Sequence, residues 1–185
     1  MDSGSAERVL RRIEKASRSQ YLPIIGPDRG RILVDLVRKF KPRRILEVGT
    51  FVGYSTILMG RELQAGSEIF TIEIDEDEAD LARKNIQEAE INPRVEVLVR
   101  DAMEIIPRIE GEFDMVFLDA DKGEYIDYLR LVEGKLHKGS LVVADNAGSY
   151  RHSMRAYLEH VRKSGFYDSR FIQGNWDGVE VSIKL

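Results

Sequence analysis

The sequence predicts an α/β fold: a doubly wound, mostly parallel sheet with helices on both faces and an antiparallel hairpin at its C-terminal end. Three observations predict it. Short, nearly continuous apolar runs alternate with stretches of helical periodicity, as expected of parallel strands covered on both sides. A loop bearing two glycines follows the first of these runs. The last two runs are separated by a turn too short for a crossover helix, so they pair antiparallel.

The elements follow in order. Apolar positions at helical spacing mark helices over residues 6–17 and 28–40; in the second, Ile32, Leu33, Leu36, Val37 and Phe40 share one face, and Lys41-Pro42 ends it. A first strand runs from Arg44 to Gly49, then a helical stretch reaches about Leu63. Ile69–Ile74, Val95–Val99, Met115–Leu118 and Leu141–Ala144 read as further strands, separated by helices over 76–90, 102–109, 123–136 and 150–164. Ser169–Gln173 and Gly178–Ile183 form the closing hairpin, making seven strands. Right-handed crossovers leave a doubly wound sandwich as the economical topology.

At 185 residues the chain suits one domain over 1–185, with N-terminal helices in 1–43 and the core in 44–185. Apolar residues make up 43%, enough to bury a core, and the absence of cysteine excludes disulfides, thiolate metal sites and cysteine nucleophiles. A net charge of −4 speaks against a general polyanion binder. No apolar run approaches the ~20 residues of a membrane span, and the N-terminus carries no signal-peptide pattern. A cytoplasmic chain with no membrane partner is the expectation.

In such sheets ligands bind at the carboxyl ends of the strands. Strand one ends in Glu47-Val-Gly49-Thr-Phe-Val-Gly53-Tyr-Ser55, whose G-x-x-x-G spacing departs from the dinucleotide G-x-G-x-x-G and suits an adenosine ligand without a pyrophosphate. Glu47 beside the loop favours a cationic ligand. Strand two ends in Glu73, about 20 residues beyond the glycine loop, where an acid accepts ribose hydroxyls. Its competing reading is a first-turn helix acid, a role that suits Asp75 as a cap. Strands four and five end in Asp119-Ala-Asp121-Lys122 and Asp145-Asn146. As neighbours they bring Asp119, Asp145 and Asn146 together, an oxygen set suited to Mg²⁺ or another hard divalent cation, against the ordinary reading as helix caps.

These residues resemble the cation-dependent, S-adenosylmethionine-dependent O-methyltransferases, the family of the catechol and caffeoyl-CoA enzymes. The resemblance runs from about Leu22 to the C-terminus and rests on LEVGTFVGYS, TIEID, FDMVFLDADKGEY and LVVADN, in that order. It implies a Rossmann-like seven-stranded fold and S-adenosyl-L-methionine as cofactor. By the same resemblance Ile25, Glu47, Gly49 and Ser55 shape the cofactor pocket, Glu73 binds ribose, and Asp101 with Ala102 lies near adenine. Asp119, Asp145 and Asn146 hold Mg²⁺, and Lys122 is the catalytic base. The implied acceptor is a small molecule with vicinal, catechol-like hydroxyls. Homodimers are common among similar proteins, so a homodimer is a further expectation.

The chain also departs from the family. Only 43 residues precede strand one, and apolar residues near Phe171 stand where the catechol enzyme has a substrate-contacting acid. Two alternatives stay open. Arg8–Arg18 and Arg29–Arg44 form a basic pattern that suits a tRNA hydroxyuridine acceptor, although the acidic whole opposes nucleic acid. A catalytically silent S-adenosylmethionine-binding module is the other, against which the intact Lys122, Asp119, Asp145 and Asn146 count. Trp176 and Tyr54 are potential substrate walls, with packing or an interface as the plainer role for a lone tryptophan.

Overall fold

A computed structural model describes residues 3–20 and 22–185. Two helices, α1 (Ser3–Gln20) and α2 (Gly26–Phe40), precede a seven-stranded sheet: β1 (Arg44–Val48), β2 (Glu68–Glu73), β3 (Arg94–Val99), β4 (Phe113–Leu118), β5 (Leu136–Ala144), β6 (Tyr167–Gln173) and β7 (Gly178–Lys184). Between strands lie α3 (Tyr54–Gly60), α4 (Glu76–Ala89), α5 (Ala102–Ile105), α6 (Tyr125–Val132) and α7 (Arg155–Lys163). The strand order is β3-β2-β1-β4-β5-β7-β6, with β7 antiparallel to both neighbours and the other pairs parallel. The order reverses between β1 and β4, where a crevice opens at the strand ends.

Strand alternation divides the core into two layers. Ile45, Ile69, Met115, Phe117, Leu141 and Val143 pack toward α1, α2 and α3. Leu46, Val48, Ile72, Val116, Leu118 and Val142 pack toward α6 and α7. Local chemistry sets the ends of several elements. Lys41, left-handed with φ 48° and followed by Pro42, stops α2, and the Asp75 carboxylate accepts from Glu78 N at 3.0 Å to start α4, the cap role expected of it.

Three elements differ from the sequence expectation. The helix expected over 150–164 begins at Arg155, because Arg151, His152 and Ser153 are exposed and offer no apolar face to hold a helix against the sheet. β5 begins at Leu136 rather than Leu141; Lys138 and Gly139 are exposed, which hides the strand from an apolar-run reading. Ser140 bridges the register shift there, its Oγ donating to Phe113 O at 2.8 Å. Pro107 turns the helix after Ala102 into a 3-10 segment at Ile106–Arg108.

Part of the basic pattern of the N-terminal helices is paired with acids. Arg11 bonds Glu7, Arg12 bonds Glu88 and Asn85, and Arg38 bonds Glu62. Among the described residues no helix is long and apolar enough to cross a membrane.

Candidate functional site

A cavity of about 810 Å³ opens at the carboxyl ends of β1, β2, β4 and β5, where the strand order places it. Gly49, Phe51 and Glu73 line one end; Lys122, Asp145, Asn146, Tyr150 and Trp176 line the other, with Asp119 shared between. Two smaller recesses adjoin it. One of about 290 Å³ is bounded by Glu73, Asp101, Ala102 and Tyr128. The other, about 30 Å³, is bounded by Ile25, Gly49, Phe51, Ser55 and Asp119.

The first end is held by main-chain amides. Glu73 Oε2 accepts from Phe51 N at 2.7 Å, and its Oε1 accepts from Ile74 N at 2.8 Å and Asp75 N at 3.1 Å. Asp101 caps α5 by accepting from Met103 N at 2.8 Å. Gly49 has φ 98°, and a Cβ there would overlap the Asp119 carbonyl, so the first glycine of the loop is required both by its backbone conformation and by the close approach of β4.

Glu47 occupies a different place from the other loop residues. It is fully buried behind the loop, accepting from Ser55 Oγ and Thr56 Oγ1, each at 2.5 Å. Burial pushes its carboxyl up to about 7, against the opposing hydrogen bonds of Ser55, Thr56 and Thr71. It ties β1 to α3, while Gly49 and Ser55 reach the recess wall.

The second end is held by side-chain cations. Lys122 Nζ donates to Asp119 Oδ1 at 2.8 Å and to the Tyr125 hydroxyl at 2.8 Å, and Tyr125 donates on to Leu118 O at 2.9 Å. Arg29, from the first turn of α2, forks onto Asp145 through Nε–Oδ1 at 2.7 Å and Nη2–Oδ2 at 3.1 Å. Burial raises the Asp145 carboxyl, the Asp119 charge adds to the rise, and Arg29 opposes it. Asn146, left-handed with φ 62°, donates its amide nitrogen to Asp177 Oδ2 at 3.1 Å, so the carbonyl oxygen is the end turned from Asp177. Asp177 also accepts from Gly148 N, Ser149 N and Gly178 N at 2.9, 3.0 and 2.7 Å.

Asp119, Asp145, Asn146 and Lys122 therefore face one cavity. The oxygen donors are two carboxylates and one amide; among the described residues no group of three or more His, Asp or Glu side chains forms a metal cluster. Arg29 and Asp177 are the residues that sequence reading misses. Arg29 reads there as one charge of a basic pattern, and Asp177 is not singled out at all. Tyr54 is buried, its hydroxyl donating to Glu14 at 2.6 Å, and so joins α3 to α1 instead of lining the large cavity. Trp176 is 94% exposed and packs into no core, so of the two plainer roles expected of it, packing or an interface, the structure contradicts the first.

Comparison with known proteins agrees with this geometry. The O-methyltransferase family model matches residues 2–154. Catechol O-methyltransferase B of Danio rerio is 33% identical over 196 residues, covering 98% of this chain and 74% of that protein. The catechol O-methyltransferase of Niastella koreensis is 37% identical over 126 residues, covering 66% of this chain and 57% of its own length. The chain thus spans little more than half of some curated relatives. Among solved structures, the O-methyltransferase from Bacillus cereus in complex with SAH superposes with a TM-score of 0.85 at 28% identity, covering 100% of this chain and 92% of that one. TomG from Streptomyces achromogenes, in complex with SAM, gives 0.84 at 29% identity, covering 95% and 89%. A family-model match over most of the chain, with a relative above 30% identity across 98% of this chain, establishes that the chain belongs to the O-methyltransferase family.

Proposed function

We propose that the chain transfers the methyl group of S-adenosylmethionine to one hydroxyl of a small molecule carrying vicinal, catechol-like hydroxyls, at a site that takes a divalent cation. The observation that carries the reading is the single cavity in which Gly49 and Glu73 at one end meet Asp119, Lys122, Asp145 and Asn146 at the other. The SAH and SAM complexes of the similar structures, and the catechol O-methyltransferases among the relatives, support it.

In this reading Glu73 accepts the ribose hydroxyls, Asp101 and Ala102 border the adenine, and Ile25, Gly49 and Ser55 enclose the methionine end. Glu47 supports that end from behind by holding α3 to β1. Two carboxylates and an amide oxygen fit Mg²⁺, which ordinarily takes one or two protein carboxylates and completes its shell with water and substrate oxygens. Asp119, Asp145 and Asn146 would hold it, Asp145 sharing its carboxylate with Arg29. When bound, such an ion stabilises the oxyanion of a chelating hydroxyl.

The chain's own residues do the rest. Lys122 Nζ, as the neutral amine, takes the proton from the acceptor hydroxyl and becomes the ammonium that pairs with Asp119. The oxygen lone pair then forms the O–CH₃ bond as the S–CH₃ bond breaks, and that bond's electron pair stays on sulfur, leaving a neutral thioether. Asp177, gripping the Asn146 amide nitrogen, keeps the carbonyl oxygen toward the site.

The test is methyl transfer from S-adenosylmethionine to a diol panel led by catechol. Transfer is expected with Mg²⁺, lost in EDTA and restored by added Mg²⁺. Transfer indifferent to EDTA contradicts the cation's role. Cofactor binding without transfer to any diol contradicts the acceptor class and favours a silent binding module.

A further inference from the structure

We infer that Trp176 is the wall against which an aromatic acceptor ring lies, which makes it the residue that selects planar aromatic diols over aliphatic ones; this rests on the methyl-transfer reading above. Trp176 is the only tryptophan of the chain and is 94% exposed. A large aromatic normally contributes by burial, so an indole left in water is short of a partner.

Its position is built, not loose. Asn175, on one side, donates through its backbone N to Asp28 Oδ2 at 2.6 Å and through Nδ2 to Asp28 Oδ1 at 2.8 Å, fastening the β6–β7 turn to the first turn of α2. Asp177, on the other side, is fixed by the amides of Gly148, Ser149 and Gly178. Gly174 N closes the turn onto Asp177 O at 2.7 Å. Between these two anchors the Trp176 side chain borders the cavity that also contains Lys122, Asp145 and Asn146. Tyr150, half exposed, borders the same volume.

The chemistry of the two sides is complementary to one kind of ligand. Oxygen donors and a lysine line the floor, and an aromatic face stands at the rim. A vicinal diol on a flat ring satisfies both at once, its hydroxyls on the floor and its ring offset-stacked on the indole. An aliphatic diol satisfies only the floor. The turn also lies outside residues 2–154, the part matched by the family model, so this wall belongs to a segment that the family match does not cover.

A lone tryptophan makes the test direct. Indole emission is followed, with excitation at the red edge, while catechol is added to the full chain in the presence of Mg²⁺ and S-adenosylhomocysteine. A saturable quench with a blue shift is expected for catechol, and none for cis-cyclohexane-1,2-diol. In turnover, W176A is expected to raise KM for catechol about tenfold, a larger change than in kcat, with W176F recovering most of the loss. As the side chain is exposed, both variants are expected to fold, checked by thermal midpoint. W176A methylating catechol with an unchanged KM overturns the wall and leaves the methyl-transfer reading intact. A blue shift that follows protein concentration without catechol puts the indole between copies of the chain and also overturns it. A wild-type chain that methylates no diol with any divalent ion overturns both.

Discussion

The two ends of the cavity hold their acidic groups by different means. At the end formed by β2 and β3, Glu73 and Asp101 are fixed by backbone N–H groups of Phe51, Ile74, Asp75 and Met103. At the end formed by β4 and β5, Asp119 and Asp145 are paired with the side-chain cations Lys122 and Arg29. Main-chain donors cannot change partner unless a strand end moves. A lysine or arginine can change partner by rotamer alone, on a far shorter timescale. The first end is thus suited to a ligand that is bound in one pose, and the second to groups that exchange protons and charge during a reaction.

The largest expected effect tests whether the two ends are separable. K122M is expected to lower turnover on the order of 10²-fold or more while affinity for S-adenosylhomocysteine, read by calorimetry, changes by less than about threefold. A parallel loss of both would mean that Lys122 serves the cavity as a whole and that the contrast between the ends is false.

A smaller effect sharpens the contrast from behind the rigid end. The Glu47 carboxyl, pushed up to about 7 by burial, lies above the ordinary glutamate value of about 4.3. Between those values the folded chain binds more protons than the unfolded chain, so stability falls as pH rises through that window. The loss associated with this one group is on the order of 3 kcal/mol. E47Q keeps one acceptor oxygen for the Ser55 and Thr56 pair, presents its NH2 to the other hydroxyl, which can accept, and is expected to flatten the decline of the unfolding free energy between pH 5 and pH 7.5. Some slope remains, because the Asp145 carboxyl is also raised by burial and by Asp119. An unchanged slope in E47Q would show that Glu47 does not hold its proton in the fold.

The parts of this arrangement that a sequence reveals are those set by position along one element. Strand ends are legible because apolar runs stop there, and the rule that ligands sit at those ends points straight at Glu73, Asp119, Asp145 and Asn146. Asp75 is legible as a cap because capping is local. Arg29 meets Asp145 across 116 residues of chain, a contact that depends on how α2 is laid over the sheet, so no spacing announces it. Asp177 escapes for the same reason: its partners lie in the loop after β5. Glu47 is a different case. Strand alternation puts it on the face of Ile45, toward α3, and that parity is readable in the sequence; its nearness to Gly49 in the chain suggests a ligand contact, whereas its partners are Ser55 and Thr56. The start of β5 is hidden because Leu136 pairs with Phe113 ahead of a register shift, in which the exposed Lys138 and Gly139 interrupt the apolar signal.

The central claim is that Asp119, Asp145 and Asn146 act together on one divalent ion beside the methyl donor. Calorimetric titration of Mn²⁺ into the wild-type chain and into N146A, both with S-adenosylhomocysteine present, tests it most directly. The account predicts one site per chain in the wild type and an affinity at least about tenfold weaker in N146A. No saturable binding to the wild type, or equal affinity in the two proteins, would contradict it.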